Sequence, residues 1–195
     1  MNRTIVLATH NEGKVRELEP TLLRLGFRLL TMAALKMESP PETGQSFQEN
    51  ALLKARHALG YTRHWVLAED SGLVVPALGG EPGIYSARYA GPHASDQDNN
   101  QYLLQRLAGR EGRDRSAYFH CVMVLFRGPQ DAEPLVAEAS WQGSIAMEES
   151  GPGGFGYDPV FLPEGCKVSA AALSPADKEL RSHRGQALRK LCQYL

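Results

Sequence analysis

Apolar residues alternate along this chain between short unbroken runs and stretches spaced for a helix, and that alternation predicts most of its elements. Thr4 to Ala8 is a compact apolar run and reads as a buried strand. After the polar segment Thr9-His10-Asn11-Glu12-Gly13-Lys14, apolar residues return at Val15, Leu18, Leu22 and Leu25, a helical spacing that Gly26 ends. Phe27 to Thr31 predicts a second strand, followed by a polar loop through Pro40, Pro41, Glu42, Thr43 and Gly44. Ser46 with Glu49 three residues later opens a capped helix that runs to Leu59. Trp65 to Ala68 is the next strand, and Gly72 is expected to turn the chain just after it. Ser95-Asp96-Gln97-Asp98 starts another helix, carried by Leu103, Leu104 and Leu107 and ended near Gly109. Tyr118 to Phe126 is apolar at almost every position, the mark of a strand covered on both faces, with Pro134 to Ile145 as its hairpin partner. A short strand at Val160 to Leu162 and a C-terminal helix opened by Ser174-Pro175-Ala176-Asp177 complete the pattern. Helices and strands interleave early while the middle pairs strand with strand, so the expected fold is α/β, with a mixed central β-sheet flanked by helices.

At 195 residues the chain suits one domain, or two lobes that share a sheet, and a single folding unit over 1–195 is expected. Twenty-one basic and 22 acidic residues leave a formal charge of −1, which argues against a general nucleic-acid binder but not against a local pocket for a small anion. Three cysteines without Cys-x-x-Cys spacing fit a reducing cytoplasm. The first apolar run is too short for a secretory signal core, and no segment has the composition of a membrane span.

Glu69 and Asp70 stand at the end of the run Trp65-Val66-Leu67, where carboxylates must be paired, solvated or metal-bound. The same residues suit an Asx turn at a strand end. Thr9 to Lys14 joins a strand to a helix, so hydroxyl, amide and ammonium groups meet the unbonded amides of a helix N-terminus, an arrangement that holds phosphate. It lacks the spacing of a P-loop, and simple capping by Thr9 or Asn11 with a solvated Lys14 explains it equally. Glu42 precedes the helix that carries Lys54; with Glu69 and Asp70 it makes an oxygen-rich set suited to Mg²⁺, or it is a solvated loop acid. Gly151 to Pro159 places four glycines around Phe155, Tyr157 and Asp158, either a loop that approaches a planar base or a connection whose aromatics fold back onto the core. Lys178, Ser182, His183 and Arg184 lie on one continuous terminal helix, or Ser182 begins a second helix with His183 and Arg184 in its first turn. Asp70-Ser71-Gly72 matches the aspartic-protease triplet without the second copy that chemistry needs, and no Gly-x-Ser-x-Gly or His-Glu-x-x-His is present.

Taken in order, Thr9-x-Asn11-x-x-Lys14, Ala68-Glu69-Asp70-Ser71-Gly72, Phe155-Gly156-Tyr157-Asp158-Pro159 and Ser182-His183-Arg184 strongly resemble the inosine/xanthosine triphosphate pyrophosphatases, the RdgB-like enzymes. The resemblance extends through Leu78 to Arg88 and spans nearly the whole chain. It implies hydrolysis of ITP, dITP and XTP to the monophosphate and pyrophosphate with Mg²⁺, by a cytoplasmic homodimer with no stable nucleic-acid partner and no membrane association. It also implies a long mixed sheet and two lobes with an active-site cleft. By position, Thr9, His10, Asn11, Glu12, Gly13, Lys14 and Lys54 would hold the triphosphate. Glu42 and Asp70 would hold Mg²⁺, with Glu69 reaching it directly or through water, and Asp70 would orient or deprotonate the attacking water. Ser71 would contact substrate, while Phe155, Gly156, Tyr157 and Asp158, with Lys178, His183 and Arg184, would enclose the base. His10 replaces a small residue, and Glu69 replaces an aspartate common in bacterial relatives. Asp70, beside a cation, is expected near the ordinary aspartate pKa and so a weak base. The rivals are a Mg²⁺-dependent Maf-type pyrophosphatase acting on modified pyrimidine or other nucleotides, and a catalytically idle nucleotide or RNA sensor on the same fold.

Overall fold

Residues 3–195 are described by a computed structural model; Met1 and Asn2 lie outside the described residues. The elements follow the apolar pattern closely at the N-terminus. β1 (Arg3–Leu7) leads through a capping Asn11 into α1 (Glu12–Arg24), and β2 (Phe27–Thr31) follows. α2 (Phe47–Leu59) starts at Ser46, whose hydroxyl accepts from the Glu49 amide at 3.1 Å. β3 (Trp65–Val74), α3 (Asp96–Arg106), β4 (Ser116–Phe126), β5 (Leu135–Ile145) and β6 (Phe161–Pro163) come next, then α4 (Pro175–Arg181) and α5 (His183–Cys192). The strands form one sheet in the order β2-β1-β3-β4-β5-β6. β1 runs parallel to both β2 and β3, and β5 runs antiparallel to β6, so the sheet is mixed as expected.

One expectation fails. Gly72 does not turn the chain: β3 continues through Glu69, Asp70, Ser71 and Gly72 to Val74. An Asx turn at this point is therefore excluded, and the strand can run on because Glu69 and Asp70 find cationic partners to either side of the sheet. The alternative left open at the C-terminus resolves in favour of two helices. Ser182 takes extended backbone angles (φ −64°, ψ 154°) after α4, and His183 and Arg184 begin α5.

The chain divides into two units. The first comprises the residues up to Asp70, Cys121–Ala139 and Arg184–Leu195; the second comprises Ser71–His120 and Ser140–His183. In the first unit the sheet is covered on both faces. Ile5, Leu7, Leu67, Met123 and Leu125 pack against Leu18 and Leu22 of α1 and Ala187, Leu188 and Leu191 of α5. Their neighbours in the strands, Val6, Val66, Ala68, Val124 and Phe126, pack the other way, against Ala51, Ala55 and Ala58 of α2. Successive strand residues point to opposite faces, so the unbroken apolar run from Cys121 to Phe126 in β4 is what two helical layers require. Each large side chain buried here contributes about 1.5–3 kcal/mol relative to exposure.

The second unit has its own core of Leu73, Leu103, Leu107, Phe119, Trp141, Ile145, Tyr157 and Phe161. Arg115 is buried in it, and its guanidinium donates to the carbonyls of Ile145 (2.8 Å), Leu107 (3.1 Å) and Ala146, tying the end of α3 to the end of β5. Gly143 of β5 faces Pro163 of β6, and a Cβ there would collide with the Leu162 carbonyl oxygen and lie 2.6 Å from the Phe161 ring. Gly143→Ala is therefore expected to cost about 1–3 kcal/mol of stability through overpacking. Urea unfolding checks this, and an unchanged midpoint would mean that the β6 backbone at Leu162 and the Phe161 ring both shift freely.

Candidate functional site

Glu69 and Asp70 are consecutive in β3, so their side chains leave the sheet on opposite faces. Each enters a separate network. Glu69 joins Leu67 on the face covered by α1 and α5, and Asp70 joins Ala68 on the face covered by α2.

On the first face Glu69 is 2% exposed and pairs with Lys14 Nζ at 2.6 Å and Arg184 Nε at 3.6 Å, while the Cys121 thiol donates to its Oε2 at 3.3 Å. Arg184 also donates to Glu17 Oε2 at 2.5 Å. Lys14 and Glu17 lie three residues apart on one face of α1, which brings one cation and one anion to this cluster. Burial pushes the Glu69 pKa up, but Lys14, Arg184 and Lys54 outweigh it and hold the carboxyl well below the usual carboxylate range. Burial, reinforced by Glu69, pushes the Cys121 thiol up, so it stays protonated. Burial disfavours charge on Arg184, yet Glu69 and Glu17 raise its pKa further.

On the second face Lys54 Nζ lies 2.7 Å from Asp70 Oδ1 and 3.2 Å from Glu42 Oε1. Asn50, one helical turn before Lys54, donates to Asp70 Oδ2 at 3.3 Å and accepts from the Gly44 amide at 2.9 Å. Burial also opposes the Lys54 charge, but Asp70, Glu69 and Glu42 prevail and raise its pKa. For Asp70 burial wins over Lys54 and Lys14, and its pKa is raised. The expectation of an ordinary aspartate pKa is thus corrected: closure by β3 and α2 makes Asp70 a better base than a solvated aspartate.

The expected three-acid cluster is corrected too. Glu69 is directed to the other face and held by cations, and among the described residues no group of three or more metal-ligating His, Cys, Asp or Glu side chains is assembled. Glu42 and Asp70 remain as a carboxylate pair around one ammonium, a hard-oxygen donor set of the kind Mg²⁺ takes alongside phosphate and water. In the loop before α1, Asn11 Oδ1 accepts from the Lys14 amide at 3.0 Å and the Asn11 amide donates to Thr9 Oγ1 at 3.1 Å, so these side chains cap the helix. His10 Nε2 lies 2.9 Å from the Met37 carbonyl, and Glu12 pairs with Arg16 at the surface. Gly13 is buried in the first turn.

The remaining candidates, Arg184 apart, lie in the second unit, with Ser71 half-buried on β3. Asp158 accepts from the Phe155 amide at 2.8 Å and pairs with Lys178, whose Nζ stands 4.8 Å from the centre of the Phe155 ring. Gly154 (φ +76°) is required because a Cβ would lie 2.7 Å from that of Asp158. The Gly156 amide donates to Asp96 Oδ2 at 2.6 Å, and its carbonyl accepts from Asn100 at 3.1 Å. Tyr157 folds back onto the core, and its hydroxyl donates to the Ser86 carbonyl at 2.9 Å, so it anchors the loop while Phe155 stays partly exposed. His183 is buried and stacks flat on Phe119, with ring centres 4.7 Å apart and planes 8° apart. Arg184, grouped with His183 by sequence, belongs to the Glu69 network of the first unit.

Sequence reasoning missed Glu17, Asn50, Asp96, Asn100, Phe119 and Cys121 as partners. Two of them carried a signal, since Glu17 follows Lys14 by three residues and Asn50 precedes Lys54 by four.

With this geometry in hand, residues 5–194 match the Ham1 family, and the chain belongs to it. Over all 195 residues it is 52% identical to a dITP/XTP pyrophosphatase of Methylococcus capsulatus, covering 97% of that protein. It is 49% identical over 191 residues to the dITP/XTP pyrophosphatase of Escherichia coli O157:H7, covering 98% of this chain and 97% of that one. Among solved structures, a HAM1 protein from Coxiella burnetii superposes with a TM-score of 0.89 at 42% identity, covering 98% of each chain.

Glu69 has a lower pKa folded than unfolded, so its stabilising contribution is complete above its ordinary value of 4.5 and is lost as pH falls below it. Glu69→Gln leaves buried cations uncompensated and is expected to cost about 3–5 kcal/mol at neutral pH. The gap from the unsubstituted protein should narrow in acid. Urea unfolding at neutral and acidic pH tests this, and a gap that is constant across pH would remove the ion pairs as its cause.

Proposed function

We propose that this chain hydrolyses the non-standard purine nucleotides dITP, ITP and XTP to the nucleoside monophosphate and pyrophosphate. The observation that carries the reading is its full-length identity of 52% to a protein named for the dITP and XTP reaction. The buried Lys54–Asp70 pair with Glu42 beside it supports the chemistry.

A triphosphate brings about four negative charges, so the protein's task is chiefly to position and neutralise. Lys14 and Lys54, held by Glu69 and Asp70, are fixed in place before substrate arrives, which limits the reorganisation needed to meet the phosphates. Thr9 to Gly13 contribute the amides and side chains of the loop before α1 and of its first turn. Glu42 and Asp70 would hold Mg²⁺, which when bound neutralises phosphate charge and steadies the pyrophosphate leaving group. Asp70, its basicity raised by burial, orients the attacking water and accepts its proton, and Asn50 holds the carboxylate in its rotamer. Glu69 acts at one remove, by fixing Lys14 and Arg184.

Ser71 contacts the substrate beyond Asp70, and Phe155 and Gly156 supply the face of the loop that meets the base. Asp158 and Tyr157 hold that loop in shape. A 6-oxo purine is selected by donors that the 6-amino group of adenine leaves unpaired, drawn from His183, Arg184, Lys178 or the loop amides. The reading includes a homodimer working in the cytoplasm, as the resemblance implies, and the three cysteines without disulfides suit a reducing compartment.

Pyrophosphate release with Mg²⁺ is expected to favour dITP, ITP and XTP over ATP and GTP at equal concentration. Preference for a modified pyrimidine nucleotide, or binding without turnover, would overturn the reading. Asp70→Asn should lower turnover by about 10²–10⁴-fold while nucleotide binding remains measurable by calorimetry. Near-normal turnover would exclude Asp70 as the base.

A further inference from the structure

Gly156 is gripped at both its amide and its carbonyl by one helix. Asp96 Oδ2 takes its amide hydrogen at 2.6 Å, and Asn100 Nδ2 donates to its carbonyl at 3.1 Å. Asp96 and Asn100 are four residues apart and so share one face of α3. Neither is needed to build that helix. Its N-terminus is already closed by a reciprocal capping box, in which Ser95 Oγ accepts from the Asp98 amide at 3.1 Å and Asp98 Oδ2 accepts from the Ser95 amide at 2.8 Å. Asp96, in the same turn, reaches instead to a loop sixty residues away. Asn100 is 1% exposed, and its Oδ1 has no hydrogen-bond partner among the described residues. A buried amide that is half unsatisfied costs stability that an apolar residue of the same size would not. Its presence is explained if the other half of the amide has work to do on Gly156.

The loop needs such a grip. Gly156 holds φ at +59°, in the left-handed region, and on one side of it stands Phe155, the ring left partly exposed. Other anchors act beside it: Asp158 on the Phe155 amide, Lys178 against the Phe155 ring at 4.8 Å, and the Ser86 carbonyl on the Tyr157 hydroxyl. The peptide that follows Phe155 is held by α3, as the one before it is held by Asp158.

We propose that Asp96 and Asn100 are positioning residues for base selection, fixing the Gly156 peptide so that the Phe155 ring is presented in one orientation. This rests on the reading of the chain as a purine nucleoside triphosphate pyrophosphatase. Its consequence for specificity is that part of the discrimination between bases resides in a helix that does not itself contact them.

The test uses Asp96→Ala, Asp96→Asn and Asn100→Leu in the full chain, with two readouts. The first is amide hydrogen exchange across residues 155–158 without nucleotide, where Asp96→Ala and Asn100→Leu should each speed exchange about tenfold. The second is kcat/KM for dITP against dGTP and dATP, where the preference for dITP should fall about tenfold, through KM, with kcat changed by less than about threefold. Asp96→Asn keeps an acceptor oxygen and should recover most of the preference. Asn100→Leu removes the unpartnered oxygen together with the clamp, so its thermal midpoint should hold or rise while selectivity falls, an outcome that a purely structural role does not produce. Unchanged exchange, equal losses for every nucleotide, or Asp96→Asn behaving as Asp96→Ala would each overturn the proposal. A wild-type protein that turns over none of these nucleotides would instead refute the proposed function, and the exchange measurement would still decide whether α3 clamps the loop.

Discussion

A strand covered by helices on both faces has no solvent to offer a charged side chain, and β3 carries two charges in succession. Burying a lone carboxylate is costly enough that it would protonate or unfold the segment, so each needs its own cation and its own hydrogen bonds. The pleat of the strand sends the two in opposite directions, and the surrounding elements answer on both sides. α1 and α5 bring Lys14 and Arg184 to Glu69, and α2 brings Lys54 and Asn50 to Asp70. The helices are thereby placed by charge as well as by the apolar contacts of Leu18, Leu22 and Ala51.

The two networks differ in character. Around Glu69 two cations face two carboxylates, and the glutamate is driven firmly to its ionised form. Around Asp70 one ammonium serves two carboxylates, and Glu42 lies near the surface with 31% of its side chain exposed. The first arrangement is closed and self-neutralising. The second retains excess negative charge and a raised aspartate pKa, which is the condition for a group that takes a proton or shares a cation. One dipeptide thus yields two carboxylates whose pKa values are pushed in opposite directions, separated by environment alone.

Much of the fold was legible because the first unit obeys simple periodicities. The strands β1 and β2, the helix through Leu18 and Leu22, the Ser46 cap and the doubly covered β4 follow from spacing and capping residues. The length of β3 was not legible, since a glycine after two acids reads locally as a turn, and only the lateral partners of Glu69 and Asp70 allow extension. The contacts among the candidate residues were not legible in the sequence. Lys54 with Asp70 and Lys178 with Asp158 are pairs distant in sequence, and nothing in the spacing matches each cation to its acid. Glu69 does not join Asp70 and Glu42 because a strand sends the side chains of neighbours to opposite faces. Grouping Arg184 with His183 met a similar limit at the first turn of α5, where consecutive residues project in different directions.

Because Glu69 and Asp70 answer to different faces, they should vary as strangers across descendants of this sequence. A change of length or charge at 69 has to be absorbed by Lys14, Glu17, Cys121 or Arg184, and a change at 70 by Glu42, Asn50 or Lys54. Two adjoining codons would then carry independent histories of covariation. The packing behind Lys14 could then be revised without disturbing Asp70 and its partners.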